Sequence, residues 1–182
     1  MEEVLIKIAK EFNKQNITWA MGSSYLLKEK GLVDICNDLD FFVSLEDIQK
    51  VKEILDILGE REESPFSKNF KSKVFLEYNV DNVEIDVMAG FTVIKDNHIY
   101  EYILDDKAIV ESKIKEDTKI YYTSLEDWFV IYQLIDGREE KVLKIKEKLL
   151  NTKNINRFLL KRNLSLSIPK SVKVEIKNIL NK

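Results

Sequence analysis

Asp38-Leu39-Asp40 sets two carboxylates two positions apart in a segment, Asp38 to Val43, whose alternation reads as a strand. Asp38, Asp40 and Phe42 fall on one side and Leu39, Phe41 and Val43 on the other, because successive strand side chains point to opposite faces. Two acids on one face can share a divalent cation or take a proton from a substrate. Alone the pair is weak: 13 aspartates in 182 positions produce about one D-x-D by chance, and a solvated strand face accounts for it without chemistry. Two further features matter. Downstream, Val83-Glu84-Ile85-Asp86-Val87-Met88 is a second strand with acids on one face and aliphatics on the other. Asp86 is the third acid by position, with Glu84 on the same face as the alternative. Upstream, the β-branched and aromatic stretch Ile17 to Met21 breaks at Gly22, and Ser23 or Ser24 can cap a short helix, Tyr25 to Lys30, that Gly31 ends. Backbone amides and a hydroxyl at a helix start can hold phosphate oxygens. An ordinary serine cap explains the same residues.

Three converging carboxylates repel one another, and at least one pKa must rise. The cluster is tolerable around a divalent metal. One cysteine, Cys36, and one histidine, His98, leave only oxygen ligands for such a site, which favours a hard cation such as magnesium. A phosphate holder beside a three-acid metal site suits in-line transfer onto a nucleotide α-phosphate. Two metals clamp the attacking and leaving oxygens, and one carboxylate accepts the nucleophile's proton.

The elements that would position these residues follow from periodicity. Val4, Leu5, Ile8 and Phe12 recur at helical spacing over residues 2–15. Ser44 with Asp47 forms a capping box for a helix over 45–58, with Ile48, Val51, Ile54, Leu55 and Leu58 on its apolar face. Residues 60–71 carry Pro65 and no period, and read as a loop. From 73 to 102 the period is two, predicting a four-strand meander with turns at Asp81-Asn82, Ala89-Gly90 and Asp96-Asn97. After an extended piece at Ile120 to Tyr122, Ser124 and Asp127 cap a helix to about Ile135, and three helical stretches follow, roughly 138–150, 153–162 and 169–181. The fold class is α+β at the front and helical at the back. Trp19, Trp128, Phe129, Tyr132 and Ile135 fit core packing, Cys36 a buried small hydrophobe, and His98 a surface turn.

Composition agrees with a globular chain: 45% apolar, 34% charged, five glycines and two prolines exclude collagen-like, low-complexity and wholly disordered classes. No run of 18 apolar residues occurs and the N-terminus lacks the pattern of a signal peptide, so a cytoplasmic protein without membrane association is expected. The net charge of -3 is a cancellation. Residues 1–106 hold 12 Lys/Arg and 22 Asp/Glu, net -10, whereas residues 107–182 hold 17 and 10, net +7. From 141 onward there are 12 basic residues and two acids. Lys141, Lys144 and Lys148 share a helix face opposite Val142, Ile145 and Leu149. That face is either solvated or a surface for a polyanion or an acidic partner, and Lys141 could reach nucleotide phosphates from a helix across the cleft.

The set Gly22-Ser23 opening a helix, Leu26 and Gly31 in and after it, Asp38-x-Asp40 framed by apolar residues, and Asp86 in EIDVM resembles the nucleotidyltransferase superfamily typified by DNA polymerase beta, in its small stand-alone form. The segment from Thr123, TSLEDWFVIYQLIDGREEK, is similar to the helical segment that follows the core in bacterial small-molecule and toxin-antitoxin members. The resemblance spans about residues 15–150. It implies a mixed sheet flanked by helices over residues 1–122 and a C-terminal helical region over 123–182 packed on that core. It further implies that Asp38 and Asp40 bind magnesium, that Asp86 is ligand or base, and that Gly22, Ser23, Ser24 and Lys141 hold a nucleoside triphosphate. The implied activity is transfer of a nucleoside monophosphate, AMP from ATP, to an acceptor hydroxyl on a small molecule, a protein or an RNA end. Many members carry a basic residue between the turn and the D-x-D, where this chain has Val33, Asp34, Ile35, Cys36 and Asn37, with Lys28 and Lys30 nearby. That departure points to the alternative of a nucleotide- or partner-binding module without turnover, such as a toxin-antitoxin component.

Overall fold

Along β2 (Asp38–Val43) both alternating sets of side chains are covered, from half-buried Asp38 to buried Val43, the signature of a strand in the middle of a sheet. The computed structural model, which describes residues 1–62 and 71–182, explains why. Strand β2 pairs in parallel with β5 (Val83–Ala89) on one side and antiparallel with β1 (Trp19–Met21) on the other. With β3 (Glu60–Glu62), β4 (Val74–Val80), β8 (Glu111–Lys115) and β9 (Thr118–Tyr122), these strands form a mixed sheet in the order β3-β4-β5-β2-β1-β9-β8. A separate hairpin joins β6 (Thr92–Lys95) and β7 (His98–Glu101).

The two sheet faces have different covers. On the face of Leu39 and Phe41 lies α1 (Glu2–Lys14), where Phe12 meets Trp19 and Phe41 edge-on at centroid distances of 5.9 and 5.5 Å. Helix α3 (Ile48–Leu58) packs beside α1 with Val51, Ile54 and Leu55 buried. On the face of Asp38, Asp40 and Phe42 lie α2 (Ser23–Glu29) and α4 (Leu125–Gln133), and Trp128 meets Phe42 at 5.4 Å. Helices α5 (Glu139–Asn151), α6 (Arg157–Leu164) and α7 (Lys170–Leu180) pack around α4, and the buried hydrophobic cluster runs without a break from Val4 to Leu180.

Several local expectations are corrected. The four-strand meander divides: β4 and β5 join the main sheet, whereas β6 and β7 pair only with each other. Strand β3 occupies the start of the expected 60–71 loop, and the rest of that segment, residues 63–70, lies outside the described residues. Strand β8 has no counterpart in the periodicity reading, because Glu111-Ser112-Lys113-Ile114-Lys115 has one apolar residue, Ile114, which is exposed, and lies at the sheet edge. Its turn, Glu116-Asp117, has positive φ at both residues, as do Asp81-Asn82 and Asp96-Asn97, the backbone that two-residue hairpins require. The expected capping box does not close. Ser44 Oγ accepts from the Glu46 amide and begins a 3-10 turn, while Asp47 accepts from the Thr18 amide at 2.9 Å. His98 is half-buried rather than on the free surface, with Nδ1 3.4 Å from Ser167 Oγ.

Candidate active site

The parallel register of β2 and β5 sets Asp40 directly opposite Asp86 and Asp38 opposite Glu84. Oxygens of Asp38, Asp40 and Asp86 all lie within 4.8 Å of one another. Glu84 is exposed and outside that set. Asp40 is 8% exposed and its Oδ2 has no hydrogen-bond partner. Burial pushes the Asp40 carboxyl up to about 8, and repulsion from Asp38 and then Asp86 adds to it. Asp86 is pushed up to about 7 by burial, by Asp38, and by Glu77, Glu84 and Glu62 on the same half of the sheet. Asp40 and Asp86, so placed, hold on to protons near neutral pH unless a cation replaces them.

The turn before α2 is built differently from a serine cap. Gly22 is the N-cap, and its amide donates to Asp40 O at 3.3 Å. A Cβ there would stand 2.6 Å from the rings of both Phe42 and Trp128, so the site needs glycine for close approach. Ser23 is the first helical residue and has φ +51°, a left-handed conformation costing about 1–3 kcal/mol for a residue with a side chain. Relieved of capping, both hydroxyls face α4 and α5. Ser23 Oγ is 3.2 Å from Tyr132 OH, and Ser24 Oγ accepts from Lys141 Nζ at 2.7 Å. Lys141 Nζ also stands 5.2 Å from the Tyr132 ring centroid, within cation–π reach. Burial, followed by the charge of Arg138, lowers the pKa of the Lys141 ammonium, while Asp40 and Asp38 oppose that shift.

These groups border one cavity of about 790 Å³, which Ser23, Ser24, the three aspartates, Arg138 and Lys141 line together. Phe42, Phe75, Met88, Phe91 and Trp128 form its apolar side. Trp128 and Tyr132 are core residues, 2% and 3% exposed, and wall the cavity as well. Cys36 donates to Asp38 O at 2.8 Å, and burial pushes its thiol up to about 11, so it is a structural contact rather than a nucleophile. Lys144 pairs with Glu140 at 2.8 Å and Lys148 is exposed, so of the three lysines singled out on α5 only Lys141 lines the cavity. Sequence reasoning missed Arg138 and Lys71, both on the cavity wall. Arg138 follows the Asp136-Gly137 turn one position before α5 and had no periodic signal to distinguish it. A second groove of about 550 Å³ lies between α1 and α3, remote from the acids and lined by Ile6, Lys7, Ile54 and Ile57 among others.

A parallel strand pair carrying an aspartate pair and a third aspartate, entered through a strand, a Gly-Ser turn and a helix, is the nucleotidyltransferase fold. Among solved structures, the chain is similar to TM1012 of Thermotoga maritima, designated a nucleotidyltransferase, with TM-score 0.58, 19% identity and coverage of 81% of this chain and 91% of that one. It is similar to ANT(2'')-Ia, solved with adenylyl-2''-tobramycin, with TM-score 0.57, 11% identity and coverage of 98% and 96%. It is also similar to the lincosamide antibiotic adenylyltransferase LnuA, solved with lincomycin, with TM-score 0.54, 16% identity and coverage of 80% and 96%. No protein-family model and no curated protein matches the sequence. Among the described residues no helix is long and apolar enough to cross a membrane.

Proposed function

We propose that the protein is a divalent-metal-dependent nucleotidyltransferase that moves AMP from ATP to an acceptor hydroxyl and releases pyrophosphate. The observation that carries this reading is the meeting of Asp38, Asp40 and Asp86 within 4.8 Å, on the same cavity as Lys141. The carboxylates fit a hard divalent cation: all donors are oxygens, Asp40 Oδ2 is buried without a partner, and burial followed by mutual repulsion raises Asp40 and Asp86. Asp38 and Asp40 would hold Mg²⁺, with Asp86 completing a two-metal site. Bound there, magnesium supplies neutralisation of charge on the α-phosphate and the leaving oxygen.

The chain's own groups divide the remaining work. Lys141, Arg138 and the Ser23 and Ser24 hydroxyls bind and orient the triphosphate, supplying from α5 the positive charge that Val33 to Asn37 lack. Lys141 gives up its bond to Ser24 when phosphate oxygens arrive. The acceptor oxygen forms a bond to the α-phosphorus as the bond to the β-phosphate oxygen breaks, and pyrophosphate leaves with that electron pair. Asp86, set directly opposite Asp40 across the strand pair, is the carboxylate placed to take the hydroxyl proton. Phe42, Trp128 and Tyr132 close the inner wall against water.

The test is incubation with α-labelled ATP, Mg²⁺ and a cell lysate. Label transfer with pyrophosphate release, abolished in folded Asp38→Asn and Asp40→Asn proteins and by chelation, is expected. Nucleotide binding with no pyrophosphate release under any condition would return the protein to the non-catalytic binding class.

A further inference from the structure

Strand β2, which carries Asp38 and Asp40, has β1 on one flank and β5, then β4, on the other. The groups assigned to the triphosphate stand on the β1 flank. Gly22, at the end of β1, bonds Asp40 O, Ser23 and Ser24 follow it, and Lys141 bonds Ser24. In an in-line displacement the attacking oxygen arrives opposite the leaving one. With pyrophosphate leaving toward the β1 flank, the acceptor enters from the flank of β5 and β4. The residues that those two strands contribute to the cavity are Asp86, Met88 and Phe75.

The register fixes how these three stand. Asp86 pairs with Asp40, and two residues along the same face Phe75 pairs with Met88 and Met88 with Phe42. Same-face residues recur about every 7 Å along a strand, so an apolar row begins one ring's width past Asp86. Two members of the row are occupied by the chain itself: Phe42 meets Phe91, Tyr102 and Trp128 edge-on at 5.3, 5.7 and 5.4 Å, and Met88 is buried. Phe75 is not. It lines the cavity 37% exposed and, among the described residues, meets no other ring. A ring left to water beside the reacting centre is free to pack on a substrate, and it offers no hydrogen bond. A sugar directing a hydroxyl to Asp86 would lay its neighbouring polar groups on Phe75 and Met88, where they lose water and gain no partner. A flat apolar body has no such loss and covers the exposed ring.

We infer that the acceptor is a small hydroxyl compound with a flat apolar body, of the aryl alcohol class, whose hydroxyl meets Asp86 and whose ring lies on Phe75 and Met88. This rests on the transfer reading above. It adds the class of the acceptor and the two residues that select it. The step keeps its balance: the acceptor oxygen bonds to the α-phosphorus, pyrophosphate leaves with the electron pair of the broken bond, and Asp86 receives the hydroxyl proton. Selection is by desolvation, so a polar acceptor is rejected because its groups stay unpaired on the apolar row.

Two probes of similar size test it, 2-naphthalenemethanol and methyl glucoside, each presenting a primary hydroxyl on an apolar or a polar ring body. Each is titrated calorimetrically into the full chain holding Mg²⁺ and a non-hydrolysable ATP analogue. The naphthyl alcohol is expected to bind at least about tenfold more tightly. That preference should fall below about twofold in Phe75→Thr, which keeps a strand-forming residue at the position, and should persist in Phe75→Trp, which keeps the ring and supplies the reading should Phe75→Thr perturb folding. Affinity for the ATP analogue should be the same in both variants as in the wild type. Equal binding of the two alcohols, or a preference for the glucoside, overturns the inference. So does a Phe75→Thr protein that loses the ATP analogue instead, since the apolar row would then hold the nucleoside. Binding of the analogue to the wild type is measured first. If it binds and no naphthyl preference follows, only the acceptor class fails; if it does not bind, the transfer reading fails and the acceptor role with it.

Discussion

Asp40 and Asp127 are both buried aspartates, each with an Oδ2 that accepts no hydrogen bond, yet their nearest charges differ in sign. Asp127, in the first turn of α4, is fully buried, the deeper of the two. Its Oδ1 accepts from Asn163 Nδ2 at 2.7 Å and its Oδ2 is 3.6 Å from Arg162 Nη2. Burial pushes it up to about 6, against the pull of Asn163 and Arg162. Burial is also the largest cause at Asp40, pushed further to about 8, and there Asp38 and Asp86 add to it, whereas Asn163 and Arg162 hold Asp127 down. The charge of the neighbours acts with burial in one case and against it in the other. Asp127 ties α4 to α6, and Asn163 extends the tie to β7 by accepting from Tyr100 at 2.7 Å. At Asp40 the opposing pulls come from the Ser23 hydroxyl and from Lys141.

The sharpest way to break that comparison is to neutralise each aspartate. Asp40→Asn is expected to lower nucleotidyl transfer by about 10³-fold or more while raising the melting temperature of the metal-free protein, since it removes repulsion and no hydrogen bond of Oδ2. A lower melting temperature would mean that Asp40 is a structural residue after all. Asp127→Ala should do the reverse. It removes one Asn163 hydrogen bond and one Arg162 contact, leaving Asn163 with Leu159 and Tyr100 and Arg162 with Asp105, and should cost about 1–3 kcal/mol, seen in chemical denaturation, with nucleotide affinity retained in the folded fraction.

Acidity gives a second contrast. An aspartate whose folded pKa is raised stabilises the fold in its protonated form, fully so below its unfolded pKa of about 4, and loses that contribution as pH rises through the folded value. The Asp127 contribution is thus lost between about 4 and 6, and those of Asp86 and Asp40 between about 4 and 7 to 8. Melting temperature without metal should decline by several degrees from pH 5 to 8. Magnesium binds the ionised carboxylates, so the stabilisation it confers should grow over the same range. Differential scanning at pH 6 and 8, with and without Mg²⁺, checks this, and a magnesium effect independent of pH would remove the coupling.

The acids were legible in the sequence because a strand's period of two is strict: Asp38, Asp40 and Asp86 could be placed on faces without knowing what covered them. Glu84 could not be separated from Asp86 by that rule. The parallel register, which sets Asp86 rather than Glu84 against Asp40, is a relation between strands that one sequence does not print. Gly22 and Ser23 were visible as a turn, but neither the left-handed φ of Ser23 nor the close packing of Phe42 and Trp128 against Gly22 was. Strand β8 was hidden by its polarity, and Arg138 by its lack of period. The apolar row of Phe75, Met88 and Phe42 needs three strands in register before it exists. Long-range pairing, not local propensity, accounts for what could not be read.

The basic end of the chain holds the smallest contrasts. Its net charge of +10 after residue 140 looks like an anion surface, yet Lys146 pairs with Glu175, Arg162 with Asp105, and Lys182 caps the end of α5 through three carbonyls. Lys141 and Lys144, one turn apart on α5, separate the two uses of a cation. Lys141 faces the cavity and bonds Ser24, so Lys141→Met should raise the KM for ATP about tenfold, with a smaller change in kcat. Lys144 pairs at 2.8 Å with Glu140, whose side chain is 82% exposed. Such a pair exchanges one solvated charge for another and contributes little. Lys144→Met should therefore leave the KM for ATP and the melting temperature unchanged. Steady-state kinetics on the two variants side by side tests whether position or charge governs the nucleotide. Equal KM increases would show that the whole helix face draws the triphosphate by its field, and would return Lys141 to the general basic surface.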